Sequence, residues 1–377
     1  MKCACKNTRS PITIMNINFK NVVLFAAVVS ILFSCKKDRG EIEEIAVPGK
    51  YENGFFVINE GWYGHGTGSV SFFDATAGTL QDSIFQKENA GKTFDPASST
   101  VQFATIFNKN LYVVSKARGP LVVADAMTLK ESGRIAGSTA YDWRAFVGLN
   151  EDLGLLSSSN GIYQLDLKTL KPGDKLPEVT GQTGDMLKAG NYVYTLSQAS
   201  GAVIYNLKDL TVAKKIKGVT LGFAQTPDKK VWYTAGKFLY SSDPITLAKD
   251  SVELPFTPAT TWFAWFSSPM IASTKDNAVY LLKSPSFGGG KELYRYIAGD
   301  PGSVSKPFIT TPDKQSFYKK NLGYNPKTNQ IVTTTVQDGY GVNYAVNNIY
   351  FYDATSGALI KQMPYSGYFF PAMFVFH

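Results

Sequence analysis

Histidine and cysteine are nearly missing from this chain, at two and three residues in 377. Their scarcity excludes a metal centre built on His/Cys ligands and a disulfide-stapled scaffold. Charged residues are also few, at 18 %, while 44 % of the chain is hydrophobic. That balance excludes a disordered polymer. Long apolar runs are lacking too. The mean hydropathy of −0.10 excludes a multi-span membrane protein, and Val22 to Phe33 is too short to span a bilayer as a helix. No G-x-S-x-G, H-E-x-x-H or C-x-x-C occurs, so the common signatures of hydrolase, zinc protease and dithiol chemistry are absent. What remains is rich in aromatics (14 %) and in glycine (33 residues).

The first segment reads as an address. Lys20 precedes the short apolar run, and Leu32-Phe33-Ser34-Cys35 closes it. A basic start, an apolar core and a small residue before the cut describe a secretory signal. Its ending on cysteine resembles the lipobox of bacterial lipoproteins, which would make Cys35 the lipidated first residue of the mature chain. Met15 can also serve as the true start, since Met15–Lys20 is an adequate basic region. Residues 1–34 hold Lys2, Lys6, Arg9 and Lys20 and no acid, so the net charge of +8 falls to about +4 on their removal. A nucleic-acid partner therefore loses its electrostatic support. Residues 35–52, polar and carrying Asp38, Glu41, Glu43 and Glu44, are expected to be a flexible tether. Acidic residues soon after the lipidated cysteine resemble a surface-export signal. Lys36-Lys37 interrupts the run, and a periplasm-facing anchor stays open beside outward display on the outer membrane.

From residue 53 onward one pattern recurs. Asp74-Ala-Thr-Ala-Gly-Thr-Leu80, Asp125-Ala-Met-Thr-Leu129, Asp166-Leu-Lys-Thr-Leu170, Asn206-Leu-Lys-Asp-Leu210, Asp243-Pro-Ile-Thr-Leu247 and Asp353-Ala-Thr-Ser-Gly-Ala-Leu359 each follow an alternating apolar stretch. Ala278–Leu282, ending near Ser284, is a degenerate seventh copy. Two further alternating segments joined by a polar turn precede each copy, as at Asn108-Lys-Asn110 or Asn325-Pro-Lys327. A unit of about 40 residues with four strands is a propeller blade. The pattern predicts an all-β, seven-bladed β-propeller with four-stranded antiparallel blades over residues 53–377. The first unit lacks an inner strand and the chain ends on Phe369–Phe376, an inner strand with no blade after it. The C-terminal strand is thus expected to complete the N-terminal blade and close the ring, removing the free sheet edge that would otherwise invite aggregation.

Strand order sorts the loops onto two faces. One face carries short polar turns. The other carries Glu60–Gly68, Ser138–Arg144, Pro258–Trp262, Ser316–Lys319, Val336–Asn348 and Tyr365–Tyr368. Ligand-binding candidates on these loops are Trp62, Tyr63, His65, Arg118, Tyr141, Trp143, Arg144, Trp262, Tyr340, Tyr344 and Tyr368. Flat aromatic side chains stack on rings at low entropic cost, and Lys116, Arg118 and Arg144 can meet a ligand's phosphate or a partner's acids. Trp262 and Trp265 are also readable as packing between blades, and Trp62-Tyr63 as a ligand-free lid. His65 has only His377 for company, so no His pair at ligand spacing exists and no metal or cofactor is expected. The acids of this face (Glu60, Asp142, Asp185, Asp338) are scattered, which argues against catalysis without excluding a metal-dependent lactonase or lyase-type propeller enzyme.

The opening Gly54-Phe-Phe-Val-Ile-Asn-Glu-Gly-Trp-Tyr-Gly64, followed by Gly68-Ser-Val-Ser-Phe-Phe-Asp74, resembles the first blade of a YncE-like propeller lipoprotein family of the Bacteroides group, which includes the BtuG-type surface proteins. With the blade signatures the resemblance covers residues 53–377. It implies a cell-surface lipoprotein that binds cobalamin or another corrinoid and passes it to a TonB-dependent outer-membrane transporter, without chemical conversion. Gly64-His-Gly-Thr67 departs from the Asn-rich loops of that pattern. Capture of a surface glycan or a siderophore is the alternative cargo.

Overall fold

A computed structural model describes residues 49–283, 289–339 and 341–377. The signal segment, the lipidation candidate Cys35, most of the tether and Tyr340 lie outside the described residues. Seven four-stranded antiparallel sheets follow one another along the chain. Six are simple meanders, from Thr100–Ile135 in the second blade to Gln315–Ser366 in the seventh. The first blade is composite. Its strands Gly54–Asn59, Ser69–Asp74 and Thr79–Gln81 take their innermost partner from the chain's end, Pro371–Phe376. Phe55 faces Phe376 and Val57 faces Phe374 across that junction. The closed seven-bladed ring expected from the repeats is therefore the observed fold.

Burial explains why these segments pair as they do. The inner strands are sandwiched between neighbouring sheets, so both faces are covered and Phe55, Phe56, Val57 and Ile58 are all buried in a row. At the junction Phe55 lies 4.9 Å from Phe73, 5.7 Å from Phe374 and 5.0 Å from Phe376 between ring centroids. Buried Asn59 donates to Ser69 Oγ (3.1 Å) and Ser71 Oγ (2.9 Å) and accepts from the Tyr365 hydroxyl. The outermost strands, such as Lys171–Lys175, face water and are polar.

The repeated signature is a turn with a common hydrogen-bond scheme. Asp125 Oδ1 accepts from the Met127 and Thr128 amides at 3.0 and 2.8 Å, and Asp166, Asp243 and Asp353 do the same two and three residues on. Four residues after the Asp or Asn the backbone turns left-handed. Gly78 and Gly357 occupy that position in the first and seventh blades, whereas Leu129, Leu170, Leu210 and Leu247 occupy it in the second to fifth, with φ between 53° and 57°. Leucine is strained there by about 1–2 kcal/mol, and Leu129 offsets the strain by being fully buried.

The sixth blade corrects the sequence reading. Ala278–Lys283 is its second strand, not its third; the third is Glu292–Ile297. The two carry similar alternating patterns, and the turn after the true third strand has Asp300 capping a 3-10 turn, Pro301–Val304, in place of the signature. The seventh blade departs as well. Ser316–Lys319, expected in a connection, belongs to the inner strand Gln315–Asn325, which bulges between Phe317 and Leu322. Asn321 covers the interrupted ladder by accepting from the Thr334 amide (2.8 Å) and donating to its carbonyl (2.6 Å). The bulge buries Tyr318 and Lys319 consecutively.

Candidate functional site

Second strands end, and first strands begin, on the same face of the ring, and there a cavity of about 950 Å³ opens. Its walls come from around the ring: Glu60, Trp62 and Tyr63 after the first blade's second strand, Lys116 from the second, Arg144 from the third, Gln182 and Gln198 from the fourth. Trp262, Phe263 and Trp265 come from the long connection between the fifth and sixth blades. Tyr318, Lys319 and Tyr344 come from the seventh, and Phe370 precedes the closing strand. Among its large apolar members Trp62, Tyr63 and Phe263 are exposed, at 42, 60 and 77 %. Flat apolar rings thus ring the mouth, and charge lies deeper.

The charged floor is one network. Lys319, 1 % exposed in its side chain, pairs with both carboxylate oxygens of Glu60. The Tyr318 hydroxyl donates to Glu60 Oε2 at 3.1 Å, and Lys116 Nζ lies 3.5 Å from Oε1. Lys116 Nζ also donates to the carbonyls of Ala264 (2.5 Å) and Trp265 (2.6 Å), tying the second blade to the aromatic connection. Burial works to raise the Glu60 carboxyl, but the ammonium groups of Lys319 and Lys116 outweigh it and hold the acid below its ordinary range. Burial first, and then repulsion from Lys319, push the Lys116 ammonium down to about 7. Burial beside anionic Glu60 pushes the Tyr318 hydroxyl well up.

Higher on the wall, Arg144 donates from Nη2 to Gln182 Oε1, and Gln182 Nε2 donates to Gln198 Oε1 at 2.8 Å. Asp142 Oδ2 is 3.8 Å from Arg144 Nη2, while its other oxygen accepts the Ala117 amide at 2.6 Å. Arg144 Nε and Nη1 are buried and find no hydrogen-bond partner among the described residues. Its guanidinium lies 5.7 Å from the Trp265 ring centre.

The candidates divide by position. Trp62, Tyr63, Arg144, Trp262 and Tyr344 line the cavity, as does Lys116. His65 and Tyr368 do not line the cavity; both stack on Trp62, at 4.0 and 4.6 Å between ring centroids. Arg118 and Tyr141 line an adjoining polar recess of about 580 Å³ instead. Trp143 does not reach the cavity. It starts a strand, so it and Arg144 point to opposite faces, and Trp143 is fully buried against Tyr141 at 4.4 Å. Tyr340 lies outside the described residues. Phe263, Gln182 and Phe370 were not among the sequence candidates. Phe263 carried a signal, being one of four aromatics in Trp262-Phe-Ala-Trp-Phe266, a run without strand alternation.

The acids of this face are each engaged separately. Besides Glu60 and Asp142, Asp185 accepts from the Ser268 amide (2.8 Å) and from the hydroxyls of Ser267 and Ser268, and Asp338 pairs with Lys291 (2.7 Å). Among the described residues no three His, Cys, Asp or Glu side chains gather as a metal-holding group.

Among solved structures the chain is similar to the crystal structure of a quinonprotein alcohol dehydrogenase-like protein from Bacteroides thetaiotaomicron. The two are 20 % identical with a TM-score of 0.69, over 86 % of this chain and 78 % of that one. Dihydro-heme d1 dehydrogenase NirN in complex with DHE is similar at 10 % identity and a TM-score of 0.53, over 87 % and 76 % of the two chains. A chain of the mitotic checkpoint complex reaches 12 % and 0.54, over 76 % and 85 %. At such identities the likeness is one of fold. No curated protein matches the sequence. Residues 53–377 match the family described as a domain of unknown function, DUF5074, and the chain belongs to that family.

Proposed function

We propose that the propeller is a capture protein that binds a bulky, ring-bearing nutrient, a corrinoid in the first instance, in its axial cavity and releases it unconverted. One observation carries the reading: a cavity at the upper end of small-molecule site volumes, walled by Trp62, Tyr63, Trp262, Phe263, Tyr318, Tyr344 and Phe370. The carboxylates that hydrolytic chemistry would need are held in ion pairs or on backbone amides, which favours binding over turnover. The exposed rings at the mouth suit a flat macrocycle, and Gln182 and Gln198 suit its peripheral amides. The likeness of the opening blade to BtuG-type proteins supports the same cargo. Lipidation at Cys35, anchoring in the outer membrane and hand-over to a TonB-dependent transporter belong to this proposal and rest on the sequence alone.

Calorimetry of the propeller with cyanocobalamin, beside catecholate siderophores and oligosaccharides, tests the cargo. Saturable heat with the corrinoid, weakened at least tenfold in Trp62→Ala, is the expected result. Heat only with a sugar or a siderophore replaces the corrinoid, and silence with every class removes capture in this cavity.

A further inference from the structure

The cavity's charges do not cancel. Its lining holds three basic side chains, Lys116, Arg144 and Lys319, against two carboxylates, Glu60 and Asp142; with Lys116 held at about 7 the surplus is part of a charge at neutral pH and a full one below it. A surplus positive charge inside a partly desolvated hollow creates a strong local field for an anion. The cations differ in what they still offer. Lys319 is pinned on both oxygens of Glu60, and Lys116 is tied to two carbonyls and to Glu60. Arg144 is different. It is 5 % exposed, yet Nε and Nη1 have no acceptor. Its facing carboxylate, Asp142, stays 3.8 Å away from Nη2 and is turned to the Ala117 amide. Among the described residues, and beside its ion pair with Asp142, the Arg144 guanidinium donates to Gln182 Oε1, a neutral acceptor on the cavity wall that an anion outcompetes. On the next blade Thr100 Oγ1, also buried on the lining, lacks a partner. Buried donors left unpaired are costly, so a site that keeps them is completed by an acceptor from outside.

Resting on the capture reading above, we propose that the ligand is an organic anion: a planar ring body held by the aromatic mouth, with a carboxylate or phosphate ester seated on Arg144. Carboxylate and phosphate share the planar, two-oxygen face that a guanidinium meets with paired N–H groups. Gln182, freed from Arg144, keeps donating one N–H of its amide to Gln198 Oε1 and has the second N–H to offer the anion.

Pyrene-1-carboxylate and pyrene-1-methanol, which share one flat fluorescent body and differ in charge, test the subsite on the intact propeller. Pyrenyl phosphate is the third arm, separating the two anion types. The carboxylate or the phosphate is expected to bind at least tenfold more tightly than the alcohol, with the advantage shrinking in high salt. Arg144→Gln is expected to erase that advantage and leave alcohol binding in place, while Arg144→Lys, which keeps the charge but not the fork, retains only part of it. Equal binding of anion and alcohol to the native protein overturns the anion subsite and leaves capture standing. Loss of both probes together in Arg144→Gln, with circular dichroism unchanged, also overturns it, because Arg144 then shapes the wall. Binding of no pyrene overturns the proposal; if cyanocobalamin, the siderophores and the oligosaccharides also give no heat, capture falls with it.

Discussion

Replacing Glu60 by Gln keeps the side chain's shape and removes its charge, which isolates what the carboxylate does for the floor of the cavity. Glu60 and Lys319 are 7 and 1 % exposed in their side chains, and Lys116 at 3.5 Å is 10 % exposed. Without the carboxylate, two buried ammonium groups repel each other and Tyr318 loses a charged acceptor. Breaking a buried ion pair from one side costs about 3–5 kcal/mol. Lys319→Met leaves Glu60 still facing Lys116, so its loss is smaller, about 1–3 kcal/mol. The double variant removes one charge of each sign, and the pair should couple by about 2 kcal/mol. Urea unfolding followed by tryptophan fluorescence measures all three, with the denaturant slope checked for constancy. A loss below about 1 kcal/mol for Glu60→Gln, the range of exposed pairs, together with no coupling, would refute the view that these charges are locked beneath the aromatic mouth.

Three further outcomes follow from features on the page. Lys116 is held at about 7 when folded against 10.5 when unfolded, so between these values the unfolded chain binds more protons and stability rises with pH; thermal melts from pH 6.5 to 9 should show that rise, and Lys116→Met should flatten it, though Lys320, depressed in the same direction by burial, keeps part of the slope. Deleting residues 371–377 removes the inner strand of the first blade and uncovers the edge of Gly54–Asn59, and size-exclusion chromatography should show more self-association than the full chain does. Gly357→Ala puts a Cβ at φ 76° and 2.9 Å from the Phe308 carbonyl; chemical denaturation should register a loss of about 1–2 kcal/mol, and an unchanged midpoint would contradict the strain.

The ring was legible in the sequence because its units repeat a local turn. Each Asp that begins the signature binds two nearby amides, a device that leaves a fixed spacing in the chain. The sixth blade was misaligned by one strand because that turn is replaced there, and the alternation of Ala278–Lys283 cannot by itself distinguish a second strand from a third. The site was legible only as a face. Trp62, Tyr63, Arg144, Trp262 and Tyr344 were found by sorting loops, but Trp143 was placed beside Arg144 because the strand was read to begin after both; a period of two sends one inward and the other to the cavity. The Glu60–Lys319 pair joins residues 259 positions apart through a bulge. Such a contact follows from closing the ring and leaves no local trace.

Putting the final strand innermost in the opening blade also orders events in time. Phe55 has its aromatic neighbours split between Phe73, close in the chain, and Phe351, Phe374 and Phe376, which are made about 300 residues or more later. Six sheets can assemble before Pro371–Phe376 has been synthesised, but the composite one waits for that strand. A prematurely ended or clipped product therefore never acquires a shut toroid, and the architecture itself discriminates finished copies from unfinished ones before any cargo arrives.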